Sequence, residues 1–167
     1  MDVKAVVVYE SFWGTTAAVA RAIADGIGEG TPVLTTDEAV GEVLAAADLL
    51  VVGAPIHAFS LPGEQGRQNL AAQASKAPAP PDLAHPSLRS WLAALPPLHA
   101  RAAAFDTGFR WSPGSATGFI LRVLKQQGLT PVGKGRRFLV TGSYGPARAG
   151  ELEKARRWGE ELAGMLP

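Results

Sequence analysis

The sequence predicts an α/β fold, in which a doubly wound parallel sheet carries helices on both faces. Strand-like and helix-like segments alternate along the whole chain in the order βαβαβαβαβα, which is typical of such sheets. The clearest strand-like segments, Val3–Tyr9 and Asp48–Ala54, are continuously apolar, as expected for strands buried on both faces. Because the chain has 167 residues, we expect residues 1–167 to form a single domain.

Five strands and five helices account for this alternation. The strands are placed at residues 3–9, 32–36, 48–54, 100–105 and, in two pieces, 130–132 and 137–141. The helices are placed at about 17–27, 37–46, 88–95, 116–127 and 147–166. Asp37, Ser87 and Ser115 are of the residue types that cap helices, so we expect each to cap the helix that follows it. Val40 and Leu152 fall on apolar stripes of their helices, and we expect both to be buried.

One segment does not follow the alternation. Residues 60–86 are rich in proline and alanine, and the part from Ala74 to Pro86 resembles a low-complexity loop. We therefore predict a loop insert at about 60–86, close to the edge of the sheet where the third strand ends.

Composition and charge exclude several function classes. A net charge of +1 gives no reason to expect nucleic acid or an acidic membrane surface as a partner. The absence of cysteine excludes a disulfide framework, a thiolate nucleophile and a zinc–thiolate site. No apolar run is long enough for membrane insertion and no signal peptide is evident, so we expect a cytoplasmic protein. No metal-ligand spacing is present either.

The loop after the first strand has the residues of a phosphate site. It runs from Glu10 to Thr16 and opens directly into a helix, whose N-terminus carries a partial positive charge. Backbone N–H groups and three hydroxyls would meet there without any lysine or arginine. The alternative is a plain helix cap by Ser11 or Thr15. The candidate residues are Ser11, Phe12, Trp13, Gly14, Thr15 and Thr16.

Two further loops end at the same edge of the predicted sheet and are rich in aromatic residues. Five of the ten Phe and Trp residues of the chain lie in these loops and the first one, which favours a bound flat ring. The alternative is that the rings pack on one another and close the edge of the sheet. The candidates are Pro55, Ile56, His57, Ala58 and Phe59 after the third strand, and Asp106, Thr107, Gly108, Phe109, Arg110 and Trp111 after the fourth.

Three of these side chains are titratable, and each has a functional and a structural interpretation. His57 is a hydrogen-bond or proton-transfer candidate, or a surface residue. Arg110 is placed to stabilise negative charge on a reduced ring, or is simply solvated. Asp106 would accept hydrogen bonds from a ligand, or cap its own turn. No catalytic residue is assigned.

These motifs resemble those of the flavodoxins and flavodoxin-like proteins. The matching segments are Val6–Thr16, Val52–Phe59 and Phe105–Gly108, in the same order along the chain. The resemblance implies a flavodoxin-like sheet of order 2-1-3-4-5, FMN as cofactor and electron transfer as function. It also implies that Ser11, Thr15, Thr16 and the backbone of 12–14 hold the FMN phosphate, with loops 55–59 and 107–111 on the two sides of the ring.

The chain also departs from the family pattern in ways that leave more than one function open. Trp13 replaces a small hydroxyl residue, Thr15 replaces an asparagine, and the usual stacking tyrosine has only Phe109 or Trp111 as substitutes. The first hypothesis is an FMN-binding redox protein, either an electron carrier with a redox partner protein or a small NAD(P)H:quinone-type oxidoreductase. The second is an interaction module with this fold that has lost flavin binding.

Overall fold

The computed structural model describes residues 4–56, 61–72 and 74–166, and its centre is a parallel sheet. The strand order is β2-β1-β3-β4-β5. Strand β5 pairs with the first residues of β4, and β6 pairs with its last four, so the predicted fold class and order are confirmed. The strands are β1 (Ala5–Tyr9), β2 (Val33–Leu34), β3 (Leu49–Pro55), β4 (Arg101–Gly108), β5 (Thr130–Pro131) and β6 (Arg136–Leu139). The helices are α1 (Thr15–Ile27), α2 (Glu42–Ala45), α3 (Glu64–Ala72), α4 (Leu88–Ala93), α5 (Ala116–Gln126) and α6 (Glu151–Gly164), with a short 3₁₀ turn at Ala74–Lys76.

The central strands are buried on both faces, as their continuous apolar sequence predicted. Alternate residues of β3 enter opposite core layers: Leu50 and Val52 face one layer, Leu49 and Val51 the other. All four are at most 1% exposed. The two layers are covered by different helices, which makes the sheet doubly wound.

Helices α1 and α6 cover one face and cross closely. The α carbon of Gly159 lies against the backbone carbonyl of Ile23, where any side chain would overlap it. The buried stripe of α6 runs through Ala155, Trp158 and Leu162, with Glu151 at its start. The prediction for Leu152 is wrong, because this side chain is 43% exposed. The helix begins at Glu151 and its buried residues follow the helical repeat from there, so Leu152 lies outside the buried stripe.

Helices α4 and α5 cover the other face and begin where the sequence predicted. The Ser87 hydroxyl accepts the backbone N–H of Ser90 at 3.0 Å, and the Ser115 hydroxyl accepts that of Gly118 at 3.3 Å. Both caps are therefore confirmed. A side-chain acceptor at this position satisfies an N–H group that has no partner inside the helix.

The prediction of a helix capped by Asp37 is wrong. Only Glu42–Ala45 are helical in this region, since the hydroxyl of Thr35 donates to the carboxylates of Asp37 and Glu38. These local bonds hold the backbone in a turn that competes with the helix. Val40 is consequently 59% exposed instead of buried.

Part of the Pro/Ala-rich insert is helical, in contrast to the loop predicted at 60–86. Its helix α3 carries Arg67, which is only 5% exposed and donates to the carbonyls of Leu83 and His85. The same guanidinium lies 3.5 Å from the carboxylate of Glu10. A side chain of α3 therefore ties both arms of the insert to the carboxyl end of β1.

Among the described residues, no helix is long and apolar enough to span a membrane.

Candidate functional site

A cavity lies at the edge of the sheet where the parallel strands end. Loops after β1, β3, β4 and β6 surround it, at the position where such sheets bind ligands. Its volume is about 310 Å³, at the lower end of the roughly 300–1,000 Å³ typical of small-molecule sites. No lining residue in the described part of the chain is charged. The lining comprises hydroxyl residues (Ser11, Thr15, Thr16, Thr107, Ser112, Ser143, Tyr144) and apolar or aromatic ones (Phe12, Trp13, Pro55, Ile56, Leu70, Phe109, Val140), with Gly108 and Gly145.

The N-terminus of α1 forms one end of this cavity. Gly14 adopts the left-handed conformation, with φ of 95°, and the Ser11 hydroxyl accepts its N–H at 3.1 Å. The first intrahelical bond runs from Ala18 N to Gly14 O, so the amides of Thr15 and Thr16 have no partner within the helix. Unpaired amides and the helix dipole together favour an anion at this end.

Two buried hydroxyls at the same end of the cavity leave one O–H group without an acceptor. Thr16 and Thr107 are 2% and 4% exposed, and their hydroxyl oxygens lie 2.9 Å apart. The pair uses only one of its two protons, and neither hydroxyl has another hydrogen bond among the described residues. One buried O–H group is therefore available to a ligand in the cavity.

Trp13 joins the loop after β1 to the insert. Its indole N–H donates to the carbonyl of Ala79 at 2.8 Å. Its ring meets Tyr144 edge to face, with the centroids 4.8 Å apart. Since the only polar atom of the indole is used by Ala79, Trp13 offers the cavity apolar surface and no hydrogen bond.

The other end of the cavity is mainly apolar. Pro55 and Ile56 line it from the end of β3, and Phe109 from the loop after β4. The Phe109 ring is stacked on Trp111, with centroids 4.9 Å apart and planes within 8° of parallel. Trp111 itself is 76% exposed and does not line the cavity. Phe109 is thus the ring that faces a ligand, and Trp111 supports it.

Asp106 has a structural role beside the cavity. It is 1% exposed and accepts two hydrogen bonds from the Arg137 guanidinium, at 2.8 and 3.1 Å, and one from the amide of Ala116. Arg137 also donates to the carbonyls of Ser112 and Gly114, at 2.9 and 3.1 Å. This ion pair therefore fixes the loop that carries Phe109, while Asp106 does not line the cavity.

The remaining predicted residues divide into two groups. Arg110 is exposed and lines a separate depression beside β6 and α6, not the cavity. His57, Ala58 and Phe59 lie outside the described residues. Of the seventeen predicted residues, the lining includes Ser11, Phe12, Trp13, Thr15, Thr16, Pro55, Ile56, Thr107, Gly108 and Phe109, with Gly14 directly behind them.

The loop after β6 also contributes to the cavity, and none of its residues was among those predicted from the sequence. Ser143, Tyr144 and Gly145 line the cavity. Gly145 has a φ of 81° and lies against the Thr15 hydroxyl, where a β carbon would overlap it. The signal for this loop was its turn-forming run of glycine and serine directly after the last strand, at the same edge of the sheet.

A second cavity of about 230 Å³ lies on the other side of the loop after β1 and contains a buried carboxyl. Glu10 is 6% exposed, and its Oε2 accepts the N–H of Leu88 at 3.3 Å. Its Oε1 has no hydrogen-bond partner among the described residues. Burial raises the pKa of Glu10 to about 7, although Arg67 and the Leu88 amide act in the opposite direction.

Solved structures of flavodoxins share this architecture. A flavodoxin from the domain Archaea is 21% identical, with 96% of each chain covered and a TM-score of 0.65. Flavodoxin 1 from Bacillus cereus is 18% identical, with 98% of this chain and 99% of that chain covered and a TM-score of 0.67. A flavodoxin, WrbA-like protein from Agrobacterium tumefaciens is 20% identical, with 96% and 95% covered and a TM-score of 0.54. No protein-family model and no curated protein matched the sequence. The chain has the flavodoxin-like fold.

Proposed function

We propose that the chain binds one FMN in the cavity at the carboxyl edge of the sheet and transfers electrons through it. The observation that carries the proposal is the division of this uncharged cavity. Unpaired amides and hydroxyls lie at the α1 end, and a mainly apolar surface that includes the Phe109 ring lies at the β3 and β4 end. FMN has the matching division, with a phosphate at one end and an aromatic ring system at the other.

The residues fit each part of the cofactor. The hydroxyls of Ser11, Thr15 and Thr16 and the first amides of α1 would hold the phosphate, since that end offers several hydrogen-bond donors and the positive end of the helix dipole. Ile56 and Phe109 would contact the ring from the two strand ends. Bound FMN supplies the redox chemistry, and the protein supplies orientation and the surrounding polarity.

The position of Arg110 favours an electron carrier over a quinone-type oxidoreductase. An arginine beside the ring would stabilise negative charge during two-electron chemistry. Arg110 lines a different depression, and no cation lines the cavity among the described residues. Oxidation of NADPH by the FMN-loaded protein with a quinone would support the oxidoreductase instead.

The experiment is a parallel titration with FMN and with riboflavin, which lacks the phosphate, monitored by flavin fluorescence. We expect wild type to bind FMN more tightly than riboflavin. We expect Ser11→Ala with Thr16→Ala to weaken FMN binding by about 1–3 kcal/mol and to leave riboflavin binding unchanged, since the lost donors face the phosphate only.

Two controls separate this effect from a disturbed fold. Thr16→Ser keeps the hydroxyl and should retain FMN affinity. Thr130→Ala removes an exposed hydroxyl at the opposite edge of the sheet and should leave the affinities for FMN and riboflavin unchanged. Equal losses for FMN and riboflavin in the double variant would place the phosphate elsewhere.

A further inference from the structure

We propose that the surface beside the cavity is a docking site for an acidic protein partner. We call it the basic face and define it by Arg110, Arg136, Arg137, Lys154 and Arg157, which line one open depression of about 520 Å³. These residues come from three elements: the loop after β4, strand β6 and helix α6. The proposal rests on the proposed function, because a partner docked on this surface would lie beside the bound FMN.

Charge is strongly segregated on this surface. The depression contains five of the sixteen Lys and Arg residues but only two of the fifteen Asp and Glu residues, although the whole chain has a net charge of only +1. Glu151 pairs with Lys154 at 3.2 Å, Glu161 with Arg136 at 3.1 Å, and Asp106, outside the lining, with Arg137 at 2.8 Å, so the excess of positive charge comes from Arg110 and Arg157. The basic face therefore presents a positive field on an otherwise balanced molecule.

The cations differ in how far they are already neutralised. Arg136 pairs with Glu161 at 3.1 Å, but both side chains are about half exposed, and such pairs exchange partners at little cost. Arg110 and Arg157 are exposed and form no ion pair with the described residues. These two have the most charge to offer an acidic surface.

An exposed aromatic residue adjoins this charge. Trp111 follows Arg110 directly, is 76% exposed, and is stacked on Phe109, which lines the cavity. Tryptophan and arginine are the residue types enriched at the energetic centres of protein interfaces. Trp111 is thus adjacent in sequence to a residue of the basic face and stacked on a residue of the cavity.

The arrangement favours a protein over a small anion. A small phosphate ligand needs donors that converge on one point, whereas these cations are spread over three elements and several are held by carboxylates. A broad acidic surface can meet all of them and cover the Trp111 ring as well. Opposite charge would also speed the encounter of the two proteins.

The test is an NMR titration of isotope-labelled, FMN-loaded protein with an acidic plant-type two-iron ferredoxin as probe. At low ionic strength we expect shifts or broadening at the Trp111 indole and in segments 136–139 and 154–157. These changes should vanish at about 0.5 M NaCl, where the Debye length falls well below 10 Å. Inorganic pyrophosphate, titrated separately, should not reproduce them.

A pair of charge-reversal variants sharpens the test. Arg110→Glu with Arg157→Glu should weaken probe binding by about tenfold or more. Arg101→Glu with Lys125→Glu makes the same change in net charge at the amino edge of the sheet. This control should change the affinity for the probe less than about twofold. Equal effects, no binding, or changes centred on another surface would overturn the proposal. Flavin fluorescence on the same samples reports FMN binding independently.

Discussion

Replacement of the buried carboxyl of Glu10 by an amide should change how stability depends on pH. Glu10 is 6% exposed, and burial raises the pKa of its carboxyl to about 7, from an ordinary value of 4.5. Arg67 at 3.5 Å lowers the pKa but does not offset burial, and Glu64 raises it slightly. The folded state therefore holds this proton more tightly than the unfolded chain does.

The sign and size of the effect follow from that difference. A pKa raised on folding contributes stability that is complete below about pH 4.5 and is lost as the pH rises through about 7. At about 1.4 kcal/mol per pKa unit, the full loss is about 3 kcal/mol. Glu10→Gln cannot ionise, so the unfolding free energy of the variant should lack this decrease.

The assay is urea unfolding of wild type and Glu10→Gln at several pH values between about 5 and 8, compared through the unfolding free energy. Glu42→Gln is the control, because Glu42 is exposed on α2. Its difference from wild type should stay constant across this range. Parallel profiles for wild type and Glu10→Gln would refute the reasoning, since they would mean that Glu10 ionises equally in both states.

Two further predictions concern the core and the loop beside the cavity. Gly53→Ala should destabilise the fold by about 1–3 kcal/mol, because its β carbon would overlap the buried Phe105 ring; urea unfolding measures this, and an unchanged midpoint would contradict it. Arg137→Met should lower the free energy of unfolding by about 3–5 kcal/mol, because it leaves the Asp106 carboxylate buried and unpaired. It should also speed hydrogen exchange in segment 109–114, and exchange at the wild-type rate would contradict the role given to this pair.

Local sequence signals were sufficient to predict most of the fold. Ser87 and Ser115 cap their helices as predicted, since a cap depends only on the next three residues. The apolar strands also identified the sheet. The prediction around Asp37 was wrong because the side chain of Thr35 competes for the same turn, and propensity alone does not decide between the two.

The cavity was predictable only where its residues follow a recognisable motif. Ten residues chosen from the loops after β1, β3 and β4 do line it. Pairing of Asp106 with Arg137 depends on the β4–β6 register, which joins residues 31 positions apart. The contribution of Tyr144 depends on how the last loop returns to α1. Such long-range contacts have no local sequence signature.

The central claim is that the cavity holds FMN, and the most direct measurement is the visible absorption spectrum of the purified protein followed by titration with FMN. We expect a yellow protein, or quenching of flavin fluorescence that saturates at one equivalent. A colourless protein that leaves the fluorescence of excess FMN unquenched would contradict the claim. That result would support the alternative, an interaction module with a flavodoxin-like fold.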